Sequence, residues 1–133
     1  MKANAAFSGI SVDDIEKAKD FYTRVLELDL SSEAMGLHFR LPFGGMLFVY
    51  EKPDHQPASY TALNFVVDDI DIAVDELGEK GVTFEVYNNL FPGAEQDEKG
   101  ILRSPDPIKY GPSIAWFKDP ADNTIAVLQD DTK

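Results

Sequence analysis

The chain has 133 residues, no cysteine and a formal net charge of −12, from 24 acidic and 12 basic side chains. Its length predicts one domain with a sizeable core, and the lack of cysteine excludes disulfides, thiolate metal sites and Cys nucleophiles. The acidic balance disfavours nucleic acid and anionic lipid, and no apolar run approaches the roughly 20 residues that span a bilayer. We therefore expect a cytoplasmic protein that binds neither nucleic acid nor membranes.

The first half of the chain reads as strand, helix and further strands. Alternating residues predict a strand over 5–12, and apolar residues at helical spacing predict a helix from Asp14 to about Leu28. Strands are predicted over 37–41 and 46–51, joined by a hairpin connection.

A linker and a second series of the same elements follow. Two prolines mark 52–59 as the linker, and a strand is predicted over 61–67. A helix runs from Ile70 to about Lys80, where Gly81 is placed to cap its C-terminus. Three more strands are predicted, over 82–87, 113–118 and 124–129. The long connection over 88–112 is rich in Pro, Gly and charge, and a loop of that length is functional or mobile.

A heptapeptide occurs twice in the chain. VDDIEKA at 12–18 recurs as VDDIDIA at 67–73, and each copy follows a strand and opens a helix. Asp13 with Glu16, and its counterpart Asp68 with the acid three residues later, have capping-box spacing.

This repeat predicts a duplicated architecture. We expect a single domain over 1–133, with module one over 5–51 superposing on module two over 60–129, outside the 88–112 loop. The predicted order is β-α-β-β-β, twice.

Three motifs together resemble the vicinal oxygen chelate superfamily, which includes glyoxalase I, bleomycin-resistance proteins and extradiol dioxygenases. They are the two VDD strand-helix joints and the turn at 118–123, KDPADN, which looks like the family's DPxGN. Two departures are Glu27 and Asp122, which stand where the family often has Gly. The resemblance implies an α+β fold of two tandem β-α-β-β-β modules whose curved mixed sheets enclose a cleft, and it also implies a homodimer.

Enzymes of this superfamily hold a divalent metal through His, Glu or Gln at four strand positions. Carried over residue by residue, those positions fall on Phe7, Phe48, Ala62 and Ala126, none of which can ligate a cation. The chain has two histidines, His38 and His55, which we interpret as surface or packed imidazoles. We therefore expect no metal and no cofactor.

Strand alternation supplies a candidate lining for the cleft. The inward set is mostly apolar and aromatic with a few polar points, a composition that fits a ligand pocket and a filled core equally. The predicted ligand-binding residues are Phe7, Ser11, Phe48, Tyr50, Asn64, Tyr110 and Trp116.

The function that follows is metal-free binding of a small molecule, similar to the bleomycin-resistance branch, with no catalytic residue. Aromatic faces and the negative charge favour a flat cationic ligand, although Arg40 and Lys118 border the region. Two alternatives stay open: a metal-dependent lyase or dioxygenase of the glyoxalase type, and a structural module with a filled cleft.

Overall fold

The chain divides into two units, each built around one mixed β-sheet. The computed structural model describes residues 1–88, 90 and 94–132. Unit one comprises residues 1–57 with the turn 119–122, and unit two comprises 58–118 with the chain from 123 onward. The expected α+β class is confirmed.

Unit one contains four strands and one α-helix. The strands are β1 (Ser8–Val12), β2 (Asp29–Ser32), β3 (Leu37–Arg40) and β4 (Met46–Glu51), in the sheet order β1-β4-β3-β2. Helix α1 (Ile15–Asp20) continues directly into a π-helical turn over Phe21–Val25. β1 pairs with β4 in parallel, and the other pairs are antiparallel.

One face of this sheet is buried and the other is not. Helix α1 packs on the buried face against β4, and the buried side chains of this face are Val12, Phe39, Leu47 and Val49. Tyr22, from the π-helical turn, is fully buried and donates a 2.7 Å hydrogen bond to Asp119 in the 119–122 turn. Alternation leaves the opposite face with aromatic and polar side chains.

The described part of unit two contains three strands and two helices. β5 (Thr61–Val67), β6 (Ile114–Lys118) and β7 (Thr124–Gln129) have the order β5-β7-β6, with β5 parallel to β7. α2 (Ile70–Glu79) packs on β7, and the short α3 (Pro107–Tyr110) lies within the long connection. As predicted, Gly81 follows α2 with a positive φ of 95°.

Capping-box spacing places each cap one residue too early, although α2 begins at Ile70 as predicted. The caps are Asp14, which accepts from the backbone N–H groups of Glu16 and Lys17, and Asp69, which accepts from Ile72. The predicted caps Asp13 and Asp68 were therefore wrong. In both helices the Ile after the second Asp takes the first helical position, so the second Asp is the cap.

Two strand predictions need correction. β2 was not predicted, and residues 82–87 form no continuous strand, since only Phe84 bridges β6.

The two departures from the family pattern, Glu27 and Asp122, have φ of 56° and 66°. Both therefore occupy left-handed conformations, which explains why glycine suits these positions. Within the described ranges, every helix is too short or too polar to cross a membrane.

Candidate functional site

An aromatic row covers the unburied face of the unit-one sheet. Phe48 on β4 lies at the centre: its ring centroid is 5.5 Å from Tyr50 in a stacked geometry, 4.7 Å from His38 and 6.3 Å from Phe7. Phe7 precedes β1 and is 68% exposed, whereas Phe48 and Tyr50 are half-buried. The cross-strand register that pairs Ser11 with Tyr50 places Ser11 on the same face. These four predicted site residues (Phe7, Ser11, Phe48 and Tyr50) are thus brought together.

A hydrogen-bonded chain runs from Ser11 through His55 to the 119–122 turn. Ser11 Oγ lies 2.6 Å from His55 Nδ1, and His55 Nε2 lies 2.9 Å from the backbone carbonyl of Ala121. A carbonyl can only accept, so Nε2 carries the ring hydrogen and Nδ1 of the neutral imidazole accepts from the Ser11 hydroxyl. Sequence reasoning treated His55 as a linker residue and missed this pair.

Unit two contains a cavity of about 780 Å³ beside the edge strand β6. Trp116 and Ile114 of β6 contribute to its wall, and the long connection supplies the other described lining residues, including Tyr110 at the end of α3. Tyr87 packs edge-on against the Trp116 indole with centroids 5.5 Å apart, which orients the ring. The described lining is Leu90, Ala94, Glu95, Leu102, Arg103, Ser104, Pro105, Tyr110, Pro112, Ile114 and Trp116.

The positive charge at the cavity wall is already compensated. Arg103 Nη1 and Nη2 donate to the two carboxylate oxygens of Asp71 at 2.8 and 2.7 Å, and Arg103 Nε donates to Asp97 at 3.0 Å. The Arg103 guanidinium, assisted by Lys99, lowers the pKa of Asp71 to about 2. The Arg103–Asp71 hydrogen bonds connect the long connection to the first turn of α2.

One polar atom at the cavity has no hydrogen-bond partner among the described residues. Ser104 Oγ is buried and makes no hydrogen bond to the described part of the chain, although the Ser104 backbone N–H donates to Ser113 Oγ at 3.0 Å. Leaving a buried hydroxyl unpaired costs about 1–3 kcal/mol, so each such atom calls for an explanation. A ligand that hydrogen-bonds Ser104 would supply one.

The remaining predicted site residue is placed apart from both groups. Asn64 is exposed on β5, opposite Ala126 of β7, and is absent from the described cavity lining. Tyr110 and Trp116, by contrast, share the cavity. The structure thus brings together four predicted residues in unit one and two in unit two.

The metal that the superfamily implies does not fit the residues present. The four carried-over positions hold phenyl and methyl side chains, and across residues 1–88, 90 and 94–132 no three carboxylates or imidazoles gather closely enough to hold an ion. That the protein binds no cofactor stays a prediction.

The fold and the sequence pattern define an α+β protein with the vicinal-oxygen-chelate module arrangement. The profile of the Glyoxalase/Bleomycin resistance protein/Dioxygenase superfamily matches residues 5–127, and the chain belongs to this superfamily. No curated protein sequence matches it.

Solved structures of the same fold carry diverse functions. A superfamily member from Sphaerobacter thermophilus is 24% identical with a TM-score of 0.64, covering 96% of this chain and 98% of that one. The fosfomycin resistance protein FosX from Listeria monocytogenes is 12% identical with a TM-score of 0.69, covering 99% and 94%. The oxidase ChaP-H2 is 19% identical with a TM-score of 0.65, covering 96% and 95%. At these identities the likeness shows the fold alone.

Proposed function

We propose that the chain is a metal-independent binding protein for a planar, cationic aromatic molecule. The supporting observation is the unit-two cavity, whose 780 Å³ falls within the usual range of about 300–1,000 Å³ for small-molecule pockets. Its lining is mostly apolar with few polar groups, as in such pockets. Trp116 contributes an indole ring, and among aromatic side chains tryptophan attracts cations best.

The charge of the lining favours a cation. Among the described lining residues, Glu95 supplies the only carboxylate and Arg103 the only cation, and Arg103 is held by Asp71 and Asp97. The net charge of −12 adds a field that concentrates cations at low salt. Lys109 Nζ already lies 5.1 Å from the Tyr110 ring centroid, so we assign the ligand cation to Trp116 rather than Tyr110.

Unit one offers a second surface for the same class of ligand. Phe48 and Tyr50 stack, Phe7 packs edge-to-face against Phe48, and Ser11 lies on the same face. We rank this row below the cavity because it lies open on a sheet face.

Calorimetric titration with naphthylmethylamine and its matched anion, naphthoate, tests the proposal. We expect the amine to bind and the acid to bind more weakly, with the preference shrinking between about 0.1 and 1 M salt because the field is screened. Trp116 is the single tryptophan, so its fluorescence should change on binding and reports the site directly.

Matched variants locate the contact. Trp116→Ala should weaken amine binding about 2- to 30-fold, the equivalent of a cation–π contact of roughly 0.5–2 kcal/mol. Glu95→Gln should reduce the preference for the amine. Tyr60→Ala, an aromatic of unit two that is 71% exposed and outside the described lining, is the control. A preference for naphthoate, or unchanged binding in Trp116→Ala, would contradict the proposal.

The metal-dependent alternative has a direct test. Elemental analysis after exposure to zinc, nickel, manganese and iron(II), followed by dialysis, should find no ion bound at one per chain. A tightly held ion would favour the glyoxalase-type or dioxygenase reading and make His38 the first residue to substitute. We also propose a homodimer, which light scattering at several protein concentrations would detect.

A further inference from the structure

We propose that Ser11 is a nucleophile activated by His55, and that unit one can cleave small aryl esters. The proposal is independent of the unit-two cavity. It rests on the Ser11–His55–Ala121 chain, which has the two features that activate a serine: a base within hydrogen-bond reach and a third group that orients the base.

The orientation of His55 suits it to act as a base. Its Nε2–H donates to the Ala121 carbonyl at 2.9 Å, so the lone pair of Nδ1 faces the Ser11 hydroxyl at 2.6 Å. The same carbonyl stabilises the imidazolium that forms when Nδ1 takes a proton, because the N–H···O bond then becomes charge-assisted. A backbone carbonyl thereby fills the orienting role that a carboxylate has in a Ser-His-Asp triad.

The surroundings of Ser11 indicate the substrate class. Ser11 is half-buried, and its cross-strand partner Tyr50 stacks on Phe48. Gly9 lies on the same face two residues away, and a Cβ there would meet nothing closer than 3.8 Å, so space for a reacting group adjoins the hydroxyl. A flat aryl group can lie on this row while its ester carbonyl reaches Ser11 Oγ.

The reaction proceeds through an acyl-enzyme. Ser11 Oγ forms a bond to the ester carbonyl carbon while its proton passes to His55 Nδ1. The bond from that carbon to the aryl oxygen then breaks, and the imidazolium returns the proton to the leaving phenolate. Water, deprotonated by Nδ1, attacks the acyl-Ser11, and the proton restores the hydroxyl, so that ester and water yield acid and phenol.

Labelling with an alkyl fluorophosphonate tests the nucleophile, because the serine oxygen displaces fluoride and remains attached to phosphorus. Trypsin should release the peptide 3–17 carrying one adduct, and its fragment masses separate Ser11 from Ser8. Release of nitrophenolate from nitrophenyl acetate measures turnover of an aryl ester. We expect an adduct on Ser11 and slow ester turnover.

The controls separate base catalysis from folding. Ser11→Ala should lose the adduct, and Ser8→Ala, an exposed serine of the same strand, should retain the labelling rate. His55→Asn can still accept from Ser11, and His55→Gln can still donate to Ala121, so each keeps one hydrogen bond but neither is a base. Both should label about 10²-fold more slowly or worse while melting cooperatively. The proposal would be overturned if the wild-type protein formed no adduct on Ser11, or if the two His55 variants were labelled at the wild-type rate.

Discussion

Replacing Tyr22 by Phe removes one hydroxyl and leaves the packing of unit one in place. Tyr22 has no exposed surface, and its ring packs 5.3 Å from Phe21 and 5.7 Å from Phe39, contacts that a phenylalanine keeps. Its hydroxyl donates at 2.7 Å to Asp119 Oδ2, and Asp119 is only 3% exposed. The substitution therefore tests one buried hydrogen bond to a carboxylate.

The expected cost is about 2 kcal/mol. Hydrogen bonds to charged groups contribute roughly 1.5–3 kcal/mol to stability. The free energy lost is near the upper end of this range when the remaining partner stays buried. Asp119 Oδ1 still accepts from the Ala121 N–H at 2.9 Å, which limits the loss. Compared with a total stability of about 5–15 kcal/mol for a domain, such a cost is easily measured.

Urea unfolding followed by circular dichroism measures this cost. Tyr60→Phe, at a site 71% exposed, is the matched control and should change the free energy of unfolding by less than about 0.5 kcal/mol. Burial, and then the charge of Asp119, raises the pKa of Tyr22, so wild-type stability should fall as the pH rises above its ordinary value of 10.0. The unfolded tyrosine ionises there and the folded one does not. A cost below 0.5 kcal/mol for Tyr22→Phe would refute the reasoning.

Two further substitutions test other contacts. Arg103→Gln should destabilise the protein by about 1 kcal/mol at pH 7, a small value because the Arg103–Asp71 pair is nearly half exposed. The pKa of Asp71 is lowered to about 2 from 3.8, so urea melts should show the full loss of stability above pH 3.8 and a smaller loss as the pH falls towards 2. Asp14→Ala should cost about 1 kcal/mol by the same measurement whereas Asp13→Ala costs little, because Asp14 is the observed cap; equal costs would contradict the assignment.

The elements that local pattern determines could be predicted from the sequence. β4, β5 and β7 have the predicted bounds, since their alternation and flanking turns are unambiguous. The start of α2 at Ile70 was predicted correctly, whereas both caps were misplaced by one residue because tertiary contacts help to set the helix starts. Ile15 N–H donates to Glu51 at the end of β4, and Ile70 N–H donates to Gln129 at the end of β7. Neither acceptor is near its donor in sequence.

The candidate sites needed contacts that spacing does not reveal. Ser11 and His55 lie 44 residues apart, and they meet because β1 pairs in parallel with β4 and the Lys52 N–H donates to the Val12 carbonyl at 2.9 Å. The sequence identified Trp116 and the long connection as candidates. It could not show that Ser104 Oγ is buried with no partner in the described part of the chain, because that depends on tertiary packing around residue 104.

The cavity and the incomplete strand of unit two have one cause, the way the chain protects the edge of β6. Glu85 N–H donates to the Trp116 carbonyl at 2.8 Å, and Leu102 exchanges backbone hydrogen bonds with Ile114. Residues 85–87 do not continue this pairing as a strand would, since the Gln96 side chain accepts from Tyr87 N–H at 2.7 Å and donates to the Glu85 carbonyl at 2.8 Å. An unpaired edge invites association with other chains. The described residues cover it at two separate points, and the cavity lined by Trp116 lies beside β6.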